Sequence, residues 1–307
     1  MSESPEVDER PRSVGHQPSE TAMATATLRA LAAHDEREEI RGSDDLAEIF
    51  LAEDRKTRFK DPRVRQWVMK NKVTPGAYEF MIARTAFFDH VVRDALLQKV
   101  SQVVFLGAGY DSRPYRFKEL LGDTRIFELD AAPTQLRKKD VLERAGVVIP
   151  SHLAFVPVDF NRDKLRDVLL AASFSSDQRA LFVWEGVTYY LSARAVDRTL
   201  AAVRKTAPAG SSICFDYASL SPGIQSEEGV KKLRERMKAR YPGEPTRFGI
   251  PHGKLGEFLA DRGYVVIENL SPSEMEAKYL TLRDGSIAGK VPALFSLVHA
   301  ALSSKIR

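Results

Sequence analysis

The chain has 307 residues, 43% of them hydrophobic and 29% charged, a globular balance that excludes a fibrous or low-complexity protein. Its net charge of +4, from 46 basic and 42 acidic residues, is a mild excess rather than a nucleic-acid footprint. One cysteine, Cys214, and six scattered histidines exclude an internal disulfide framework and a Cys-rich zinc site, so no metal is expected.

The first residues, MSESPEVDERPRS, lack the apolar core of a signal peptide, and no apolar run reaches membrane-spanning length. The expectation is a soluble, cytoplasmic protein with neither a membrane nor a nucleic acid as partner. Residues 1–20 are polar and proline-bearing and read as a disordered tail. From 21 to 100 the pattern is helical. Leu28, Leu31 and Ala32 share a face, then Leu46, Ile49 and Phe50, then Phe80, Ala83, Phe87, Phe88, Val91 and Val92. Ser43, followed by acidic residues, reads as a helix start.

From residue 101 the texture changes to short apolar runs separated by helical stretches. The runs are Val103–Leu106, Arg125–Leu129, Ala154–Val158, Ala180–Trp184 and Ser212–Phe215, with later candidates at Tyr264–Glu268 and Leu294–Val298. Helices fall at Thr134–Ala145, Leu165–Ala172 and Ala193–Thr206. This alternation predicts an α/β fold with a doubly wound, mostly parallel, seven-stranded sheet over 101–307. The segment 219–256 interrupts it with a charged helix and a Pro/Gly-rich stretch, and reads either as a lid insertion or as a solvated helix.

The first five runs end in Gly107-Ala-Gly109, Asp130, Asp159, Glu185 and Asp216. Ligands of open α/β sheets bind outside the carboxyl ends of the strands, though Asp and Glu also collect there as helix caps. The loop is not a full G-x-G-x-x-G, because Ser112 takes the third glycine's place and Asp111 would oppose a pyrophosphate. That disfavours a nicotinamide oxidoreductase. S-adenosylmethionine fits better. The glycines allow close backbone approach, Asp130 can accept ribose hydroxyls, Asp111 can attract an ammonium, and an arginine can pair with the carboxylate.

LGAGYDSRPYR, FELD, VDF and EGVTYYL, in this order, resemble the leucine carboxyl methyltransferase-like family of class I S-adenosylmethionine-dependent methyltransferases, which includes bacterial polyketide-type O-methyltransferases. The motifs cover roughly residues 80–220. The resemblance implies that Gly107 and Gly109 hold the methionine part and that Asp130 binds the ribose. It places Asp159 and Phe160 against the adenine, Glu185 near the amino group, and Arg84 on the carboxylate. It implies O-methylation of a carboxylate or hydroxyl on a small molecule. A module that binds the cofactor without turnover is the alternative. Candidate acceptor contacts are Arg113, Tyr189, Tyr190, Arg247 and His252; the two tyrosines read equally as core aromatics. Oligomeric state is not legible.

Overall fold

The computed structural model describes residues 19–304 except 161, 222, 225–227, 229, 232–234, 236–238 and 240–246. The expected tail lies outside the described residues up to 18, as does much of the 219–256 segment. The helical section contains α1 (Glu20–Ala33), α2 (Glu53–Phe59), α3 (Pro62–Lys72) and α4 (Ala77–Leu97). Ser19 caps α1, its hydroxyl accepting from the Ala22 amide at 3.1 Å. Ser43 starts no helix. Its hydroxyl instead donates to Asp89 Oδ2 on α4 at 2.5 Å, and the Leu46–Phe50 pattern forms a single 3-10 turn at Ala47–Phe50.

The strands are β1 (Gln102–Leu106), β2 (Arg125–Asp130), β3 (Leu153–Pro157), β4 (Ala180–Trp184), β5 (Ser212–Leu220), β6 (Ile250–Pro251), β7 (Tyr264–Leu270) and β8 (Phe295–Leu302). Between and after them lie α5 (Arg113–Arg116), α6 (Ala132–Arg144), α7 (Leu165–Ala171), α8 (Ala193–Thr206), α9 (Leu255–Ala260) and α10 (Pro272–Tyr279). The main sheet runs β3-β2-β1-β4-β5-β8-β7, with β6 beside the end of β5. β1 to β5 are mutually parallel, and β8 is antiparallel to both β5 and β7. The fold is therefore the expected doubly wound, mostly parallel sheet.

Every residue of β1 is buried, and behind Gln102 the strand reads as the apolar run Val103–Leu106. Its side chains still alternate. Val103 and Phe105 join a core with Leu31, Phe87 and Phe88 of α1 and α4, whereas Val104 and Leu106 join Leu169, Val196 and Leu200 of α7 and α8. The helical section thus shares one core with the sheet. β5 runs past the expected end at Phe215, through Asp216, to Leu220. Ser219 pairs with Ile250 and Leu220 with Pro251, so both ends of the 219–256 segment belong to the sheet.

Candidate functional site

The turn after β1 is closed by β2. The amides of Gly107 and Ala108 both donate to the Leu129 carbonyl at 2.9 Å. Gly107 has φ +75°, and a Cβ there would lie 2.7 Å from Val187 Cγ2, so only glycine fits. The Gly109 amide donates to Asp130 Oδ2 at 2.6 Å, and the Ala131 amide to Oδ1 at 2.7 Å. Burial pushes the Asp130 carboxyl up, and these amides pull it back without cancelling the rise. Each oxygen has one backbone donor and keeps acceptor capacity for a pair of hydroxyls.

Beside this turn lies a network of buried charges. Arg84, on α4 and 3% exposed, has Nε 2.9 Å from Glu185 Oε1 and Nη1 3.2 Å from Asp216 Oδ2. The Nε–Oε1 approach is poorly aligned, and that buried Nε makes no hydrogen bond. Glu185 Oε2 lies 2.8 Å from Arg113 Nη1. The same nitrogen is 2.5 Å from Asp111 Oδ2, and Arg113 Nε is 2.7 Å from Asp89 Oδ1. Arg116 also grips Asp89, at 2.7 Å. Farther out, Arg29 Nε meets Asp44 at 2.7 Å and Arg29 Nη2 donates to the loop carbonyl of Tyr110 at 2.7 Å.

Five carboxylates (Asp44, Asp89, Asp111, Glu185, Asp216) thus share four guanidiniums (Arg29, Arg84, Arg113, Arg116), and Asp130 adjoins them. Burial opposes the charge on Asp89, but Arg113 and Arg116 overcome it and hold the carboxyl down to about 2. Asp111 is likewise lowered, with Arg113 and then Lys138 outweighing burial. At Asp216 burial wins over Arg84 and the Gly186 amide, and the pKa is raised. Among the described residues the carboxylates of this network outnumber its guanidiniums, and a ligand carrying positive charge would complement such a set.

The structure brings Arg84, Asp111, Arg113 and Glu185 into one set of ion pairs, next to Gly107, Gly109 and Asp130. Asp111 is engaged by the amide and guanidinium of Arg113. Arg113 was a candidate acceptor contact, but it is 3% exposed and spent on three carboxylates, so it faces the network instead. Tyr189 is buried, its hydroxyl 3.3 Å from Arg84 Nη1 and 3.4 Å from Asp216 Oδ2, which makes it part of the same packing rather than a pocket wall. Tyr190 is half-buried and edge-on to Tyr189 at 4.7 Å. Asp159 follows β3, about half-exposed, and Phe160 packs partly on the core. The exposed Arg247 donates its amide to the Tyr189 carbonyl at 2.7 Å. His252 is exposed, its Nδ1 3.3 Å from Ser219 Oγ.

The sequence assigns Asp89 no role, and Asp216 only a place among the strand-end carboxylates. The signal for Asp89 was a charge directly behind Phe87 and Phe88 on the buried face of α4. For Asp216 it was a carboxylate inside a run that continues as YASL.

The architecture defines a Rossmann-like methyltransferase fold. A provisionally named methyltransferase from Thermobifida fusca shares it at TM-score 0.56, with 16% identity over 94% of this chain and 96% of its own. A DUF574-family protein from Streptomyces avermitilis matches at TM-score 0.56, with 12% identity over 94% of this chain and 98% of its own. The leucine carboxyl methyltransferase family profile matches residues 22–204, and the chain belongs to that family. The Bacillus subtilis protein YktD, whose name describes a provisional S-adenosyl-L-methionine-dependent methyltransferase, is 30% identical over 242 residues, 78% of this chain and 76% of its own. A Mycobacterium sp. (strain KMS) relative, named in the same way, is 36% identical over 194 residues, 60% of this chain and 61% of its own.

Proposed function

We propose that the chain is an S-adenosylmethionine-dependent O-methyltransferase acting on a carboxylate or hydroxyl of a small molecule. The observation that carries this reading is the carboxylate-rich network beside the glycine turn. When bound, the cofactor supplies a methyl group made electrophilic by its sulfonium. The chain's residues fit it part by part. The Arg84 guanidinium suits the amino acid carboxylate, and Asp111 and Glu185 suit its ammonium. Asp130 suits the ribose hydroxyls, with Asp159 and Phe160 on the adenine side. The buried ion pairs fix these groups before binding, so little reorganisation is needed.

The match to the leucine carboxyl methyltransferase family supports an oxygen acceptor. A carboxylate acceptor is ionised at neutral pH and needs no base, only orientation.

Calorimetric titration with S-adenosylmethionine and S-adenosylhomocysteine, followed by turnover against panels of carboxylates and phenols, tests this. Binding of both forms and a methyl ester product is expected. Failure to bind either form removes the reading. Tight binding with methyl transfer only to nitrogen acceptors would replace oxygen by nitrogen, and binding with no transfer favours a cofactor-binding module.

A further inference from the structure

The chain's positive charge is concentrated in one place. Residues 53–72 hold eight Lys and Arg against three Asp and Glu, an excess of five, while the whole chain carries +4. The remainder is therefore net negative by one. These residues form α2 and α3, and α3 has no buried residue. The arm is nonetheless fixed to the body. Phe59 is buried in the main core, and Val68 and Met69 pack against it.

With Val68 and Met69 turned inward, helical geometry sends Arg63, Gln66, Trp67 and Lys70 outward, and all four are exposed. Trp67 is 54% exposed at the centre of that face, with the Lys72 ammonium 5.4 Å from its ring centroid. Two of the arm's cations are paired with carboxylates, Lys56 with Glu53 and Arg63 with Asp61. Arg58, Lys60 and Lys70 have no carboxylate partner among the described residues.

We propose that this arm docks the protein on an anionic lipid surface. A protein interface needs an apolar, charge-poor centre, which this face lacks. A lipid surface asks only for a cluster of Lys and Arg, with an amphipathic ring to sit at headgroup depth; the arm has both. No helix among the described residues is long and apolar enough to cross a membrane, so the contact is with the surface only. The arm is spliced between Phe50, whose ring stacks on Tyr110 of the glycine turn at 4.9 Å, and α4, which carries Arg84. Docking therefore sets the orientation of the cofactor edge.

The chain reports its own binding, because it has two tryptophans and Trp184 is fully buried. The full chain is titrated with vesicles of pure phosphatidylcholine and of phosphatidylcholine with phosphatidylglycerol. A blue shift of Trp67 emission is expected only with the anionic vesicles, reversed by high salt. Each Lys or Arg at an anionic leaflet contributes about a fivefold factor, so Arg58→Glu with Lys70→Glu should weaken partitioning at least ~25-fold. Thermal unfolding and cofactor titration of this variant should match the parent, which separates lost docking from lost folding. Equal response to both vesicles, no response, or unchanged partitioning of the variant overturns the proposal. Tighter binding to duplex DNA or polyglutamate than to anionic vesicles also overturns it, in favour of another polyanion.

Discussion

Two of the regions that bury charge among the described residues differ in stoichiometry. At the far side of the glycine turn, Glu128 of β2 and Lys138 of α6 are 0% and 1% exposed, with Nζ 2.7 Å from Oε2. The Tyr115 hydroxyl donates to the other oxygen at 3.1 Å. One carboxylate meets one ammonium, and both carboxylate oxygens are satisfied. Among the described residues the network around Arg84 has more carboxylates than guanidiniums, and its Arg84 Nε, though 2.9 Å from Glu185 Oε1, is too poorly aligned to donate a hydrogen bond there. Burial of charge alone therefore does not mark a ligand site. We read the unbalanced sum around Arg84 as the mark of a ligand site, because a cationic ligand would complete it.

The largest expected effect tests the open network. Arg84→Met removes the guanidinium from Asp216, leaves Glu185 to Arg113 alone, and should cost about 3–5 kcal/mol of stability, the usual penalty for breaking a buried pair. It should also abolish cofactor binding. Urea unfolding and calorimetric titration read both effects; a stable variant that still binds would refute the assignment. Lys138→Met breaks the closed pair instead and should cost about 3 kcal/mol. Its charge reaches Asp111 and Asp130 only through space, so cofactor affinity should fall by less than about tenfold. If Lys138→Met harms binding as much as Arg84→Met, the two regions are one functional unit and the distinction fails.

The strands that build the candidate site were legible, because β1 and β4 carry apolar runs followed by glycine or a carboxylate and the shorter run of β2 ends in Asp130. The continuation of β5 was not. Asp216 looks like a strand-ending carboxylate, yet its pairing with Leu297 of β8 keeps it in the sheet, and Arg84 with the Gly186 amide tolerates its burial. Ser43 looked like a helix cap for the same local reason, but its partner is Asp89, 46 positions away. Gly107, Asp130 and Glu185 stand together because adjacent strand ends place them there. Which arginine meets which carboxylate depends on how α4 and α5 pack, and that is written in no local pattern.

Asp130→Asn probes the ligand side with a smaller change. The carboxamide keeps the shape but loses charge-assisted hydrogen bonds worth about 1.5–3 kcal/mol, so affinity for the cofactor should fall roughly tenfold to a hundredfold. Competition between S-adenosylhomocysteine and methionine locates the loss: it should appear for the nucleoside-bearing ligand and not for methionine alone. An equal loss for both would move Asp130 from the ribose to the amino acid.

Glu128 of the closed pair and Asp89 of the open network should also answer pH with opposite signs. Burial pushes Glu128 from an ordinary 4.5 up to about 7 against the pull of Lys138. Between those values the folded chain keeps a proton that the unfolded chain has lost, so stability falls as pH rises through this window, by at most about 1.4 kcal/mol per unit. Asp89 is held down to about 2, so its contribution is complete above its unfolded value near 3.8 and is lost as pH falls towards 2. Replacing the closed pair as a whole, with Glu128→Gln and Lys138→Met together, should flatten the stability profile from pH 5 to 7 and leave the acid limb in place. Denaturant midpoints measured across pH 2 to 8 separate the limbs. An unchanged slope from pH 5 to 7 in the double variant would place that titration elsewhere and leave Glu128 an ordinary member of a balanced pair.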